Sequence, residues 1–107
     1  MRQTMDWVDL EKSVQWRCFR EAVETLRSRG NEVFVLVGPF NEHMLTDAGR
    51  ERYRALKAGI DAWLTAQAVP HLVPDALPSE IYPDASHPFA AGYETLARAL
   101  AAHPFFK

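Results

Sequence analysis

Residues 82–93 read YPDASHPFAAGY, which sets Asp84 three residues before His87. A histidine takes the proton of a hydroxyl nucleophile only when its far ring nitrogen is held by an acceptor. A carboxylate in that place fixes the tautomer and stabilises the imidazolium as it forms. An Asp-x-x-His turn offers both groups from one short loop. The same spacing also fits a plainer role, in which Asp84 or Ser86 accepts from the first N–H groups of a helix. That helix is expected to open at Pro88, a favoured first position, with His87 as its N-cap. Spacing alone does not separate base from cap, so the surrounding elements matter.

Apolar residues at Leu10, Val14, Cys18, Phe19, Ala22, Val23 and Leu26 follow helical spacing. Asp6 or Asp9 is placed to cap that helix, and Gly30-Asn31 to stop it. The run VFVLV at 33–37 is uninterrupted, largely β-branched and closed by Gly-Pro. It predicts a strand buried on both faces, as in a parallel sheet. Thr46 or Asp47 opens a second helix whose inner face is Tyr53, Leu56, Ile60, Trp63 and Leu64, and which frays near Val69. HLV at 71–73 is a short second strand. Five of the seven prolines fall in residues 70–88, most of which reads as extended loop. Phe89, Tyr93, Leu96, Ala97 and Leu100 form the expected inner stripe of the last helix. The order α-β-α-β-α predicts an α/β layered fold with right-handed parallel crossovers. The Asp84–His87 loop then sits at the C-terminal lip of the sheet, where open α/β sheets bind ligands.

The totals narrow the functions on offer. The 107 residues suit one domain, with 48% hydrophobic and 24% charged residues. Net charge is −2 with acids and bases interleaved, so no basic stripe speaks for nucleic acid. No apolar run approaches the ~18 residues of a membrane span, and the N-terminus shows no apolar leader, so a soluble chain is expected. Its localisation is otherwise undefined. The single cysteine, Cys18, cannot form an internal disulfide and reads as a small core residue. Trp7, Trp16 and Trp63 read as core or hinge residues rather than sugar platforms.

The C-terminal block YPDASHPFAAGYETLARAL resembles the last signature block of the SGNH (GDSL-type) hydrolase superfamily. There an Asp-x-x-His precedes Pro, a bulky apolar residue and Gly-Tyr at the start of the terminal helix. Asp84, His87, Pro88, Phe89, Gly92 and Tyr93 fall where that pattern wants them. The upstream order of elements is also similar, and the resemblance maps the whole chain, residues 1–107, onto the C-terminal half of that domain. It implies a partial three-layer flavodoxin-like fold with about three helices and two parallel strands. It also implies a serine esterase or acylhydrolase that attacks ester or O-acyl groups through an acyl-enzyme. Its substrates would be small molecules or carbohydrates. His87 would be general base and then general acid, oriented by Asp84. No cofactor is implied.

The family's nucleophile lies in a Gly-Asp-Ser block, and this chain contains neither Gly-Asp-Ser nor Gly-x-Ser. Ser13 and Ser28 belong to the first helix, Ser79 to the Pro-rich loop, and Ser86 adjoins His87 with poor geometry for attack. The segment VFVLVGPFNEH maps onto the family's fourth strand, whose tip lines the cleft. Asn41, Glu42 and His43 are therefore expected to touch substrate without replacing a named oxyanion donor, and Asn41 or Thr46 has the alternative of capping a turn. The chain alone is expected to be inactive, with the nucleophile on a missing N-terminal half. A non-catalytic binding or assembly module of the same ancestry is the alternative. A metal site from Asp84, His87 and His43 lacks tight ligand spacing, and no metal is expected. The unpaired edge of strand 33–37 predicts self-association, most simply as a two-fold dimer.

Overall fold

The computed structural model describes Trp7, residues 9–84 and residues 87–107. Asp6 as a cap and Ser86 as a neighbour of His87 lie outside the described residues. A 3₁₀ turn, Leu10–Lys12, is capped by the Asp9 side chain and leads into helix α1, Val14–Ser28. The cap of α1 is Ser13, whose hydroxyl accepts from the Trp16 N–H. Strand β1 is Val35–Leu36, helix α2 is Asp47–Ala66, strand β2 is His71–Leu72 and helix α3 is Ala90–Ala102. The described residues thus form three long helices and two parallel strands, a mixed α/β structure.

α1 and α2 end in the same way. Gly30, at φ 84°, ends α1, with N–H bonds from Gly30 to the Arg27 carbonyl and from Asn31 to the Leu26 carbonyl. The expected fraying near Val69 is instead a closed stop of the same type. Ala68, at φ 54°, donates to Thr65, and Val69 reaches back to Leu64. This is the Schellman arrangement, and its hydrophobic clasp is the Leu64–Val69 pair, which also lies in the core.

β1 and β2 pair in register Val35 with His71 and Leu36 with Leu72. Bonds from Val35 N–H to the Pro70 carbonyl and Val37 N–H to the Leu72 carbonyl extend the ladder slightly. Val33, Val35 and Val37 pack with Phe19, Val23, Ile60, Trp63, Leu64 and Val69 against α1 and α2. On the other side, Phe34 meets His103, Phe105 and Phe106, just past α3. The expected burial on both faces is not found, because Leu36 is 39% exposed. The short C-terminal turn partly covers that second face.

Two helix faces also differ from their sequence patterns. In α1 the buried side is Trp16, Phe19, Arg20 and Val23, whereas Val14, Cys18, Ala22 and Leu26 stand exposed in one row. Cys18 is therefore not a core residue: α2 and β1 cover the opposite face of its helix. In α3, Leu96 and Gly92 are buried, while Phe89, Tyr93 and Ala97 are exposed. α3 leans on the preceding loop through Gly92, where an added Cβ would meet Ile81, Pro88 and Leu77 at 2.5, 2.6 and 3.1 Å. Its first residue is Ala90 and its N-cap Phe89, so neither Pro88 nor His87 holds the expected place. The Phe89 N–H is taken by the Ile81 carbonyl at 2.6 Å, which keeps Pro88-Phe89 extended.

The molecule measures 46 × 34 × 17 Å, with a radius of gyration of 15.0 Å. A compact domain of this length has about 13 Å. Among the described residues no helix is long and apolar enough to cross a membrane.

Candidate active site

Two loops meet at the C-terminal ends of the parallel strands. The first follows β1 and carries Asn41, Glu42 and His43 into a 3₁₀ turn, Glu42–Met44. The second follows β2 and carries Leu77, Tyr82 and Asp84. Asn41, buried to 3% exposure, donates from Nδ2 to the Asp84 carbonyl at 3.4 Å. The His43 ring lies with Nε2 3.0 Å from the Leu77 carbonyl. A carbonyl only accepts, so this nitrogen carries the proton of that bond. The Leu77 N–H in turn donates to the buried Tyr82 hydroxyl at 3.1 Å. These three bonds clasp the loops and set the stem from which Asp84 rises.

Asp84 holds His87 twice. Its Oδ1 accepts the His87 backbone N–H at 2.8 Å, and its two carboxylate oxygens lie 3.1 and 3.0 Å from Nδ1. The backbone bond closes the turn, and the carboxylate fixes the proton on Nδ1. In the neutral ring the basic lone pair is then on Nε2, the tautomer a general base needs. The expected capping alternative is thus partly realised, since Asp84 caps the turn at His87 rather than a helix. Both side chains are open to water, His87 at 68% and Asp84 at 54% exposure.

The other expected residues divide. Asn41 stands beside Asp84, with its Oδ1 buried and without a partner among the described residues. The Glu42 carboxylate is turned towards α2, where it accepts from Arg54 at 3.0 and 2.6 Å and lies 3.8 Å from Lys57. The Glu42 carbonyl accepts from Arg50. Glu42 braces the loop on α2, and His43 fastens it to Leu77. The Arg54 and Lys57 partners of Glu42 and the His43–Leu77 bond were not visible in the sequence, because each joins separate elements.

Tyr53 packs against Phe40 and Trp7 with its ring tilted to both. Burial, then the negative charge of Glu42, then Tyr82, push its phenol up to about 12.

The described serines serve the backbone or solvent. Ser13 caps α1, Ser28 donates to the Thr25 carbonyl, and Ser79 is exposed in a turn. Among the described residues, no group of three His, Cys, Asp or Glu side chains gathers to hold a metal ion. No family model, no curated protein and no solved structure matches this chain.

Proposed function

We propose that the chain is the C-terminal part of an SGNH-type serine esterase or acylhydrolase, a partial three-layer flavodoxin-like fold supplying Asp84 and His87 to the triad. The observation that carries this reading is the Nδ1–carboxylate contact at 3.0 Å, set at the lip where the loops after both parallel strands converge. His87 would take the serine proton through Nε2 and return it to the leaving alcohol. Asp84 would hold the ring and offset its charge. Asn41 would steady Asp84 from below. The serine and the oxyanion donors would come from an N-terminal half that adds a strand to β1 and shelters the dyad from water. Substrates would be ester or O-acyl groups on small molecules or carbohydrates.

Without a nucleophile or an oxyanion hole, the 107 residues alone should hydrolyse p-nitrophenyl acetate no faster than their His87→Ala variant. Saturable, His87-dependent turnover by this chain would overturn the division into halves. An in-frame Gly-Asp-Ser block upstream, whose segment restores turnover when added, would support it.

A second reading is favoured by the exposed rows Val14–Leu26 on α1 and Phe89–Ala97 on α3. On that reading the chain is a non-catalytic SGNH-derived module that works by binding or assembly, self-associating at the 33–37 edge.

A further inference from the structure

A cavity of about 740 Å³, open to solvent, lies away from Asp84 and His87, between the N-terminal turn, α1 and α2. That volume is in the range of small-molecule sites. Three of its walls are indoles, those of Trp7, Trp16 and Trp63. Trp16 and Trp63 meet edge to face with centroids 5.4 Å apart, and Trp16 also stacks on Phe19. The wall is therefore held in place by its own packing.

Arg20 borders the same cavity and is the unusual residue in it. Its guanidinium sits 5.9 Å from the centroid of the Trp16 ring, a cation–π contact. Its Nε–H is buried with no acceptor, and the Trp7 indole N–H is buried in the same condition. No carboxylate pairs with Arg20 among the described residues, although Asp9 and Glu11 line the cavity too. The Asp9 carboxylate caps the backbone N–H of Glu11 instead. The other arginine of the cavity, Arg52, donates to the Trp7 carbonyl. Beside the cavity two secluded donors stand unmatched, and a guanidinium is held over a ring with no ion-pair partner among the described residues.

From this juxtaposition we infer that the cavity is a binding site for a small aromatic monocarboxylate. The flat ring lies against the indoles, and the carboxylate takes the Arg20 guanidinium in its fork. Asp9 and Glu11 on the same wall repel a second and third negative charge, which sets the site against polyanions such as nucleoside phosphates. The site needs neither the triad reading nor an N-terminal half.

The test uses the full chain labelled with ¹⁵N, whose three indole N–H signals and arginine Nε–H signals are read during titration. Phenylacetate is expected to move the Trp7, Trp16 and Arg20 signals saturably. Phenylacetamide, with the same ring and no charge, should bind at least roughly tenfold more weakly, as should acetate, which has the charge and no ring. Arg20→Met should abolish the phenylacetate response with the rest of the spectrum retained. Should that variant fail to fold, Arg20→Lys, which keeps the charge and loses the fork, should still weaken binding several-fold. The inference is overturned if phenylacetate gives no saturable shift, or if phenylacetamide binds equally well. A response unchanged in the arginine variants overturns it, as do the same signals moving more strongly with ATP.

Discussion

At the scale of single residues, the Asp84 carboxylate carries two bonds to one partner, the His87 backbone and the His87 ring. The first closes a turn and the second orients the ring, which is why the spacing was readable in two ways. Charge near this loop is managed by Glu42, whose pairing with Arg54 and Lys57 holds a carboxylate beneath the site. Tyr53 reports on that arrangement. Its phenol is pushed up to about 12, above the ordinary 10.0, because the folded surroundings disfavour the phenolate. The folded state therefore holds this proton more tightly than the unfolded chain does. The resulting stabilisation is fully present below pH 10 and is lost as pH rises through about 12. Denaturant midpoints followed from pH 8 upwards should show the parent losing stability relative to Tyr53→Phe over that window. A parallel decline of the two proteins would show that Tyr53 does not couple to folding.

At the scale of elements, the two Schellman stops differ in one respect: Gly30 occupies the left-handed position of α1, and Ala68 that of α2. An L-alanine there pays a steric penalty that glycine avoids. Ala68→Gly should raise stability by about 0.5–1 kcal/mol in urea unfolding. Gly92→Ala should do the reverse despite the better helix propensity of alanine. Its Cβ would fall 2.5 Å from Ile81 and 2.6 Å from Pro88, for a loss of roughly 1–3 kcal/mol. An unchanged melting curve for Gly92→Ala would mean that α3 is not seated by that contact. The elements themselves were legible: Thr46 caps α2 as expected and both strands lie within the expected segments, but Asp9 caps the short turn before α1, whose own cap is Ser13. Apolar periodicity could not say which apolar row of α1 faces inward, because Val14–Leu26 and Trp16–Val23 both repeat at helical spacing. Only packing against α2 and β1 decides between them. The start of α3 was misplaced for a related reason, since the Phe89–Ile81 bond joins two loop segments that no local pattern links.

At the scale of the whole molecule, the accessible surface is 7123 Å². A compact monomer of this mass exposes about 6,100 Å². The excess, about 1,000 Å², is close to what one partner buries in a stable complex, about 800 Å². Val35 and Val37 direct their N–H groups at β2, so by strand alternation Phe34 and Leu36 present theirs to the opposite edge. The isolated chain should therefore associate, most simply as a two-fold pair along that edge, and Leu36→Lys should shift it towards monomer. Light scattering at rising concentration reads this directly. A stable monomer at millimolar chain would argue against any use of the edge.

The 17 Å short axis has a consequence in time as well as in shape. In a slab this thin, backbone amides lie close to one surface or the other, and among the described residues the ladder has two strands to shield it. Amide hydrogens then reach water through small local openings instead of waiting for the whole structure to come apart. The lone chain is therefore expected to exchange many amides even while it is folded. Slow-exchanging amides would arise where a partner thickens the slab, so the pattern of protection would map the covering face residue by residue.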